Sequence, residues 1–495
     1  MVEDIDVLCL YGFGQGLLYE ELQPWLEGDA DRAVLFLIEE GETLPWGHRV
    51  FFDSKVRICS PAEGIDHCFA QYVWEFVFLR FGYVMNPEVA HKKTENILQK
   101  FRKIEWHIQL LASDAQDLTS AAMKNTALNI QFLKSHYDFS YRKDALKGVP
   151  AIICGAGPSL EKSFSLLKSL KDRAAIFAGG AALSILSLEG ITCHVAAGLD
   201  PDPSLGRFKD FHGFETPFFY QDRFSFDIAS RVHAEKIFVP DHGSNRLRNW
   251  LLDKVSIAST PFDAGWTVTN MATAIAHHLG CDPIIFVGVD FSFRSSSPYA
   301  KGMAEQEVES TLALPGKDGL FSKKDWLLAA SWTEDFIAKH TERTFLNVSE
   351  EKQTCFSCPS ISSEELQERY LRRYFDLQGV IHSMQKLPAG DHREKSVSLW
   401  LQLEESVKRC DALCSSLLAL IEKYYPSDAT QKGDFLLAEL DLQEELAYHL
   451  IIEPLWGVWQ RVFNRKKEVP IYFGALNRFL FYKKMIHIQL KEFFL

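Results

Sequence analysis

The chain has 495 residues, of which 47% are hydrophobic and 24% charged, with 37 phenylalanines. This is a globular composition with ample material for thick cores, and it excludes a mainly disordered chain. The net charge of −13 argues against a face-wide nucleic-acid footprint, so no nucleic-acid partner is expected. The stretch Met1–Phe13 is acidic where a secretory leader would be basic. No apolar run of about 18 residues is free of polar interruption, so no membrane span is expected. Ten cysteines are scattered along the sequence. The expectation is a cytoplasmic protein with free thiols. Two close pairs, Cys355/Cys358 and Cys410/Cys414, leave a zinc site as the alternative, but their spacings differ and the second pair lies in a helical pattern.

The first elements read as a strand over 5–10, a glycine turn Gly12-Phe13-Gly14-Gln15-Gly16, a helix Leu17–Leu26 and a strand Ala33–Ile38 ending at Glu39. That is half of a Rossmann-like unit, with Glu39 placed to meet a ribose. The spacing is G-x-G-x-G rather than G-x-G-x-x-G, and tight packing of helix on sheet is the competing reading. Residues 87–137 read as helical. Asn125 and Asn129, four apart, share a face, where they cap or bridge neighbouring elements or, less favoured, touch a ligand.

The middle of the chain alternates strands (149–154, 174–178, 193–199, 218–220, 236–239 and 283–289) with helices (181–188 and 267–279). This pattern predicts a parallel, doubly wound sheet. Three constellations sit at strand ends. Gly155-Ala156-Gly157-Pro158-Ser159 joins a strand to a helix. Its glycines admit a ligand to the backbone, a side chain at Gly157 is expected to block that approach, and free N–H groups at the helix start favour a phosphate. Asp200-Pro201-Asp202 follows a strand end, where ligands of open α/β sheets bind. Asp200 is a candidate substrate residue, and Asp200 with Asp202 a candidate magnesium pair. Thr267, Thr269 and Asn270 open a helix, as ligand contacts or as a cap, and Asp290 follows another strand end. Tyr299 and Lys301 lie in a polar loop beyond it, placed to serve a leaving phosphate. Of the neighbours His277 and His278 in one helix, at most one can face a given site.

From about residue 364 the pattern becomes helical, with 3.6-residue periodicity over 399–424 and 435–462 and breaks at Pro426, Pro454 and Pro470. From Arg461 to Leu495 there are eight Lys/Arg against two Glu. Phe479, Leu480, Tyr482 and Ile486 interleave with Arg478, Lys483 and Lys484. Such a helix packs its stripe on the helical region or lies on an anionic membrane surface. The division expected is an α/β N-terminal domain over 1–120, a doubly wound Rossmann-like central domain over 121–363 and an α-helical C-terminal region over 364–495.

With these residues in place, the chain resembles the motility-associated factor (Maf) proteins and the 6-hydroxymethyl-7,8-dihydropterin diphosphokinase-like domain they carry. The resemblance rests on Tyr11–Gly16 with Ile38-Glu39, the pair Asn125/Asn129, Gly155–Glu161, Gly198–Pro201, Thr267–Asn270 and Ile284–Phe291. It extends to bacterial family 42 sialyltransferases through Ala156–Leu160, Gly288–Phe291 and Ser296–Ala300. It implies transfer of a nonulosonic acid from a CMP-sugar to a hydroxyl of a protein acceptor, without a tightly bound cofactor and with magnesium as an option. Tyr299 would then donate to the departing phosphate, Asp290 would belong to the catalytic group, and His340 is the nearest match to the general-base histidine. The alternatives are transfer of diphosphate from ATP to a pterin alcohol, with Asp200, Asp202 and Asp290 on magnesium, or a non-catalytic partner-binding role. The family's histidine near Tyr299–Gly302 is absent, and its later glycine-rich segment stands here as Asn347–Gln353.

Overall fold

The structure, a computed structural model, describes residues 5–28, 32–37, 49–59, 80–85, 99, 101–107, 109–110, 118–129, 132, 142–204, 208, 212–239, 246–254, 262–294, 298–301, 314–315, 319–348, 354–385, 393–454, 456 and 471–493. Two compact units emerge. The described residues of one lie within Met1–Asp117, and the other takes in Leu118–Trp456 and Glu468–Leu495. The helical C-terminal region therefore clusters with the central sheet, where the sequence pattern had suggested a separate region.

The first unit holds β1 (Val7–Tyr11), α1 (Leu17–Glu27), β2 (Ala33–Leu37), β3 (Val56–Cys59) and β4 (Phe81–Met85). The strands lie in the order β3-β2-β1-β4, every pair parallel. β1 is central and buried along its whole length, which explains its unbroken apolar run. The glycine turn has a conformational cause: Gly12, Gly14 and Gly16 take φ of 79°, 55° and 83°, a region costly to residues with a Cβ. Glu39 lies outside the described residues.

The second unit is built on seven parallel strands: β5 (Ala151–Cys154), β6 (Ala175–Gly179), β7 (Val195–Gly198), β8 (Phe218–Tyr220), β9 (Lys236–Phe238), β10 (Ile284–Val287) and β13 (Phe345–Val348). A short antiparallel pair, β11 (Leu314–Pro315) with β12 (Phe321–Ser322), precedes β13. The sheet order is β13-β10-β5-β6-β7-β8-β9. The chain steps outward from β5 to β9, then returns to place β10 on the other side of β5. The reversal opens a crevice at the C-terminal ends of β5 and β10, where open α/β sheets hold ligands. Strand β13 escaped the sequence reading. It has only four residues, and Asn347 interrupts its apolar run.

Helices α2 (Thr119–Asn129), α3 (Ala181–Leu188), α4 (Arg246–Lys254), α5 (Val268–His278) and α6 (Lys324–Lys339) belong to the same unit. Helix α5 crosses β5, β6 and β7 and buries Met271, Ile275 and Leu279 in the core with Ile153, Phe177 and Phe286. Four-residue strands this buried keep their place through apolar contact on the sheet face as much as through ladder hydrogen bonds.

The helical region comprises α7 (Arg393–Tyr424), α8 (Gly433–Gln443) and α9 (Ile471–Phe493). Leu403, Val407, Cys410, Cys414, Leu417 and Ile421 form one buried stripe of α7 at alternating spacings of four and three. α8 and α9 pack against α7. From α9, Phe479, Tyr482 and Ile486 are buried. Arg478 pairs with Glu439, and Lys483 with Asp411 at 3.0 Å. The stripe considered for a membrane surface thus serves the bundle, and two of its cations already hold acidic partners. Leu480 remains half exposed. Among the described residues, no helix is long and apolar enough to cross a membrane. Cys9, Cys154, Cys193, Cys281, Cys355, Cys358, Cys410 and Cys414 are free, and burial pushes the Cys410 and Cys414 thiols up to about 12, which suits core thiols better than thiolate ligands.

Candidate functional site

At the crevice, the loop after β5 and the loop after β10 lock together. Gly155 N–H donates to Val287 O and Gly157 N–H to Gly288 O, each at 2.9 Å. Asp290 supplies the anion that the following 3-10 helix (Pro158–Ser163) lacks. Its Oδ2 accepts from Ser159 N–H at 2.9 Å, and its Oδ1 accepts from the Ser159 hydroxyl. Leu160 N–H donates to Gly157 O at 3.0 Å. The N–H groups of Gly155, Gly157, Ser159 and Leu160 are therefore all donated within the protein. Pro158 has none. The expectation that free N–H groups here receive a phosphate gives way to a loop whose helix start is capped by a carboxylate.

Gly157 is small for a reason independent of any ligand. A Cβ there would lie 2.4 Å from Asp290 Oδ2 and 2.8 Å from Gly288 O, and its φ of −64° needs no glycine. Asp290 is 2% exposed. Burial pushes its carboxyl above the ordinary value, and the Ser159 hydroxyl and N–H pull it back. With both oxygens on Ser159, Asp290 positions the loop. It does not join Asp200 and Asp202 in a cluster of metal-ligating atoms among the described residues.

The segment carrying Tyr299 closes over the same loop. Ala300 N–H donates to Ala156 O at 2.9 Å, and Lys301 N–H to Glu161 Oε1 at 2.8 Å. This fixes Tyr299, whose ring meets Trp326 edge-on with centroids 5.9 Å apart. The Lys323 ammonium lies 4.9 Å from the Trp326 ring centre and 6.0 Å from that of Tyr299. Next to Lys323, in the first turn of α6, stands Asp325. Burial raises its pKa, Lys323 opposes the rise, and the Asp200 carboxylate adds to it, which makes Asp200 and Asp325 electrostatic neighbours. Lys323, Asp325 and Trp326 were not singled out from the sequence. They lie more than 100 residues beyond the glycine loop, and their one signal is a charged and aromatic cluster at a helix start.

Asp200 and Asp202 are exposed at the end of β7. Their turn is held from α2. Asn125 Nδ2 donates to Pro201 O at 2.8 Å and to Arg223 O at 3.0 Å, and its Oδ1 accepts from Phe226 N–H at 3.0 Å. Asn129 Nδ2 donates to Asp222 O at 2.8 Å and Phe224 O at 2.6 Å. The asparagine pair bridges loops, as its spacing allowed: Asn125 is engaged with backbone through both its amide nitrogen and its oxygen, while Asn129 holds two carbonyls through Nδ2 and its Oδ1 is buried without a partner.

Thr267 and Asn270 form a reciprocal cap on α5. Thr267 Oγ1 accepts from Asn270 N–H at 3.3 Å, and Asn270 Oδ1 accepts from Thr267 N–H at 3.2 Å. Asn270 Nδ2 also donates to Ala329 O and Thr333 Oγ1. At 1% exposure, Asn270 ties α5 to α6 and is not available to a ligand. Thr269 is half-buried in the same turn, with its carbonyl accepting from Thr273. Val268 packs on Gly179 at the end of β6, so this helix start does reach the sheet's C-terminal edge.

His340 falls elsewhere. It is the C-terminal cap of α6, and the site meets that helix at its N-terminal turn. Fifteen residues of helix separate Asp325 from His340, roughly 22 Å at the α-helical rise. His340 instead packs against His277, the rings tilted by 41° with centroids 4.0 Å apart. The general-base expectation for His340 is therefore corrected by the direction of α6.

Residues 124–296 match the family model described as 6-hydroxymethylpterin diphosphokinase MptE-like. Among solved structures, the chain is similar to the Maf glycosyltransferase from Magnetospirillum magneticum AMB-1, with a TM-score of 0.56 and 14% identity over 98% of this chain and 78% of that one. No curated protein matches the sequence.

Proposed function

We propose that this chain, whose residues 124–296 match an MptE-like family model and whose fold is similar to that of a Maf glycosyltransferase, is a glycosyltransferase that draws a sugar, a nonulosonic acid, from a CMP-activated donor and places it on a hydroxyl of a protein acceptor. The observation that carries the reading is the convergence of Tyr299, Lys323 and Trp326 on the glycine loop at the β5/β10 crevice. A phenol and an ammonium beside aromatic faces suit a nucleotide monophosphate as leaving group. The hydroxyl donates, and the cation meets charge that grows as the glycosidic bond breaks. Asp325, its pKa raised by burial, is the carboxylate we assign to accept the acceptor's proton. Asp200 orients substrate hydroxyls beside it.

Asp200 and Asp202 are oxygen donors of the kind magnesium takes, and either could hold that ion against the donor's phosphate. Asp290, engaged with Ser159, does not complete a third ligand, so no step of this reading runs through a metal. The match over residues 124–296 keeps diphosphate transfer from ATP to a pterin alcohol as the second reading.

The test is release of CMP from a CMP-nonulosonic acid, run beside magnesium-ATP with a hydroxymethylpterin. CMP release that Lys323→Ala and Tyr299→Phe both lower sustains the first reading. Pterin diphosphate formation with no CMP release replaces it with the second.

A further inference from the structure

At the end of α5 and α6 remote from the crevice, three side chains from three segments turn toward one point. His277 comes from the last turn of α5, His340 caps α6, and Glu342 lies in the turn that leads to β13. His277 Nε2 is 2.8 Å and His340 Nδ1 3.4 Å from the same oxygen, Glu342 Oε1. One ligand-capable atom from each lies within 4.8 Å of the other two. We propose that His277, His340 and Glu342 form a binding site for a zinc-class divalent ion, with three protein ligands and a water.

The donor set selects the ion. Two imidazoles and a carboxylate suit zinc and its neighbours cobalt and nickel. Magnesium and calcium favour all-oxygen shells. The spacing suits it as well. Zinc bonds of about 2.0–2.2 Å in tetrahedral array set neighbouring ligand atoms roughly 3.3 Å apart. The His340–Glu342 separation is already close to that value, and the His277–Glu342 one opens by about half an ångström. The rings are held from behind. Phe336 meets His277 edge-on at 5.4 Å and His340 in a tilted contact at 4.4 Å, and Trp332 stacks on Phe336 at 4.7 Å. Glu342 is more than half exposed, which gives an ion and its water access from solvent. The adjacent cation Arg343 is turned to Asp144 at 3.8 Å. A bound ion would cross-link α5, α6 and the approach to β13.

The full-length chain, stripped with chelator, is titrated with zinc alone and separately with cobalt. The expected result is one zinc equivalent that raises the melting midpoint. Cobalt should give visible bands of a four- or five-coordinate nitrogen and oxygen shell without the near-ultraviolet thiolate band that cysteine ligation would bring. His340→Ala and Glu342→Gln should each weaken zinc at least about 100-fold, more than an outer partner does. Glu342→Gln is a conservative change at an exposed position, and its circular dichroism should match the parent. Binding that survives both substitutions, a thiolate band, or no zinc binding at micromolar concentration overturns the proposal.

Discussion

The carboxylate of Asp290 stands where a side chain on Gly157 would have to go: a Cβ at residue 157 would come within 2.4 Å of Asp290 Oδ2. One residue is small because the other, 133 positions later, is buried against it. The loop at the crevice is therefore specified by its own protein partner before any ligand arrives.

It follows that Gly157→Ala is a stability variant. Neither Asp290, held by Ser159, nor the Gly288 backbone can yield cheaply, so the expected cost is about 1–3 kcal/mol. Asp290→Ala should cost about as much by leaving the half-buried Ser159 N–H and hydroxyl without their acceptor. Asp290→Asn keeps one acceptor oxygen and should be milder. Chemical denaturation of the three variants checks the order. A Gly157→Ala chain as stable as the parent would refute the packing argument.

Lys323→Ala should behave in the opposite way. The ammonium lies over aromatic rings in a half-buried position, and its loss should leave the melting midpoint nearly unchanged. Turnover should fall about 100- to 1,000-fold, as when a charge-stabilising donor is removed. Steady-state kinetics beside a thermal melt separates the two effects.

Asn129→Ala removes two donations, to Asp222 O and Phe224 O, and leaves buried carbonyls without their partner. The expected loss is about 1–3 kcal/mol. Because its neighbour Asn125 holds Pro201, Asn125→Ala should also raise KM through the Asp200 turn, an effect Asn129→Ala should show more weakly.

His194 carries a pH prediction. Its Nδ1 accepts the Ile176 N–H at 3.0 Å, which requires an unprotonated ring nitrogen, and burial lowers its pKa below 6.5. The unfolded chain takes up this proton below about 6.5 while the folded chain does not. The stabilisation is thus complete above that pH and is lost as pH falls toward the folded value. His194→Asn keeps an acceptor and removes the titration. The slope of stability against pH below about 6.5 should flatten, and an unchanged slope would contradict the assignment.

Ending the chain before Ile471 should uncover the α7 stripe against which α9 packs. The expected outcome is aggregation or loss of a cooperative melt. A truncated chain that melts like the parent would return the apolar stripe of α9 to other uses, a membrane surface among them.

Much of the fold could be read from the sequence. Strand lengths and the alternation with helices place β5 to β10 within one or two residues, because buried parallel strands are short unbroken apolar runs. The helix breaks at Pro426 and Pro470 show where α7 gives out and α9 begins. Of the candidate site, the sequence pointed to the crevice only where polar or glycine residues coincide with a strand end, as at Asp200 and the glycine loop. Pattern could not tell that Asp290 serves Ser159 or that Thr267 and Asn270 face each other. In both cases a polar residue at a strand or helix terminus satisfies backbone groups, and the same residue types serve ligands. His340 was misplaced because helix direction is a tertiary fact. Lys323, Asp325 and Trp326 became visible only once the sheet brought α6 beside Tyr299.

The hydrogen bond from Ser159 N–H to Asp290 spans 131 residues of chain, and this imposes a schedule on synthesis. At roughly 5–20 residues per second, about 7–26 s pass between the emergence of the glycine loop and that of its cap. During that interval β5 has no β10 beside it and the loop's helix start has no anion. The nascent chain must carry an unpaired strand edge at what will become the middle of the sheet; the step that completes the crevice covers that edge of β5 and passes the open edge outward to β10, which waits for β13.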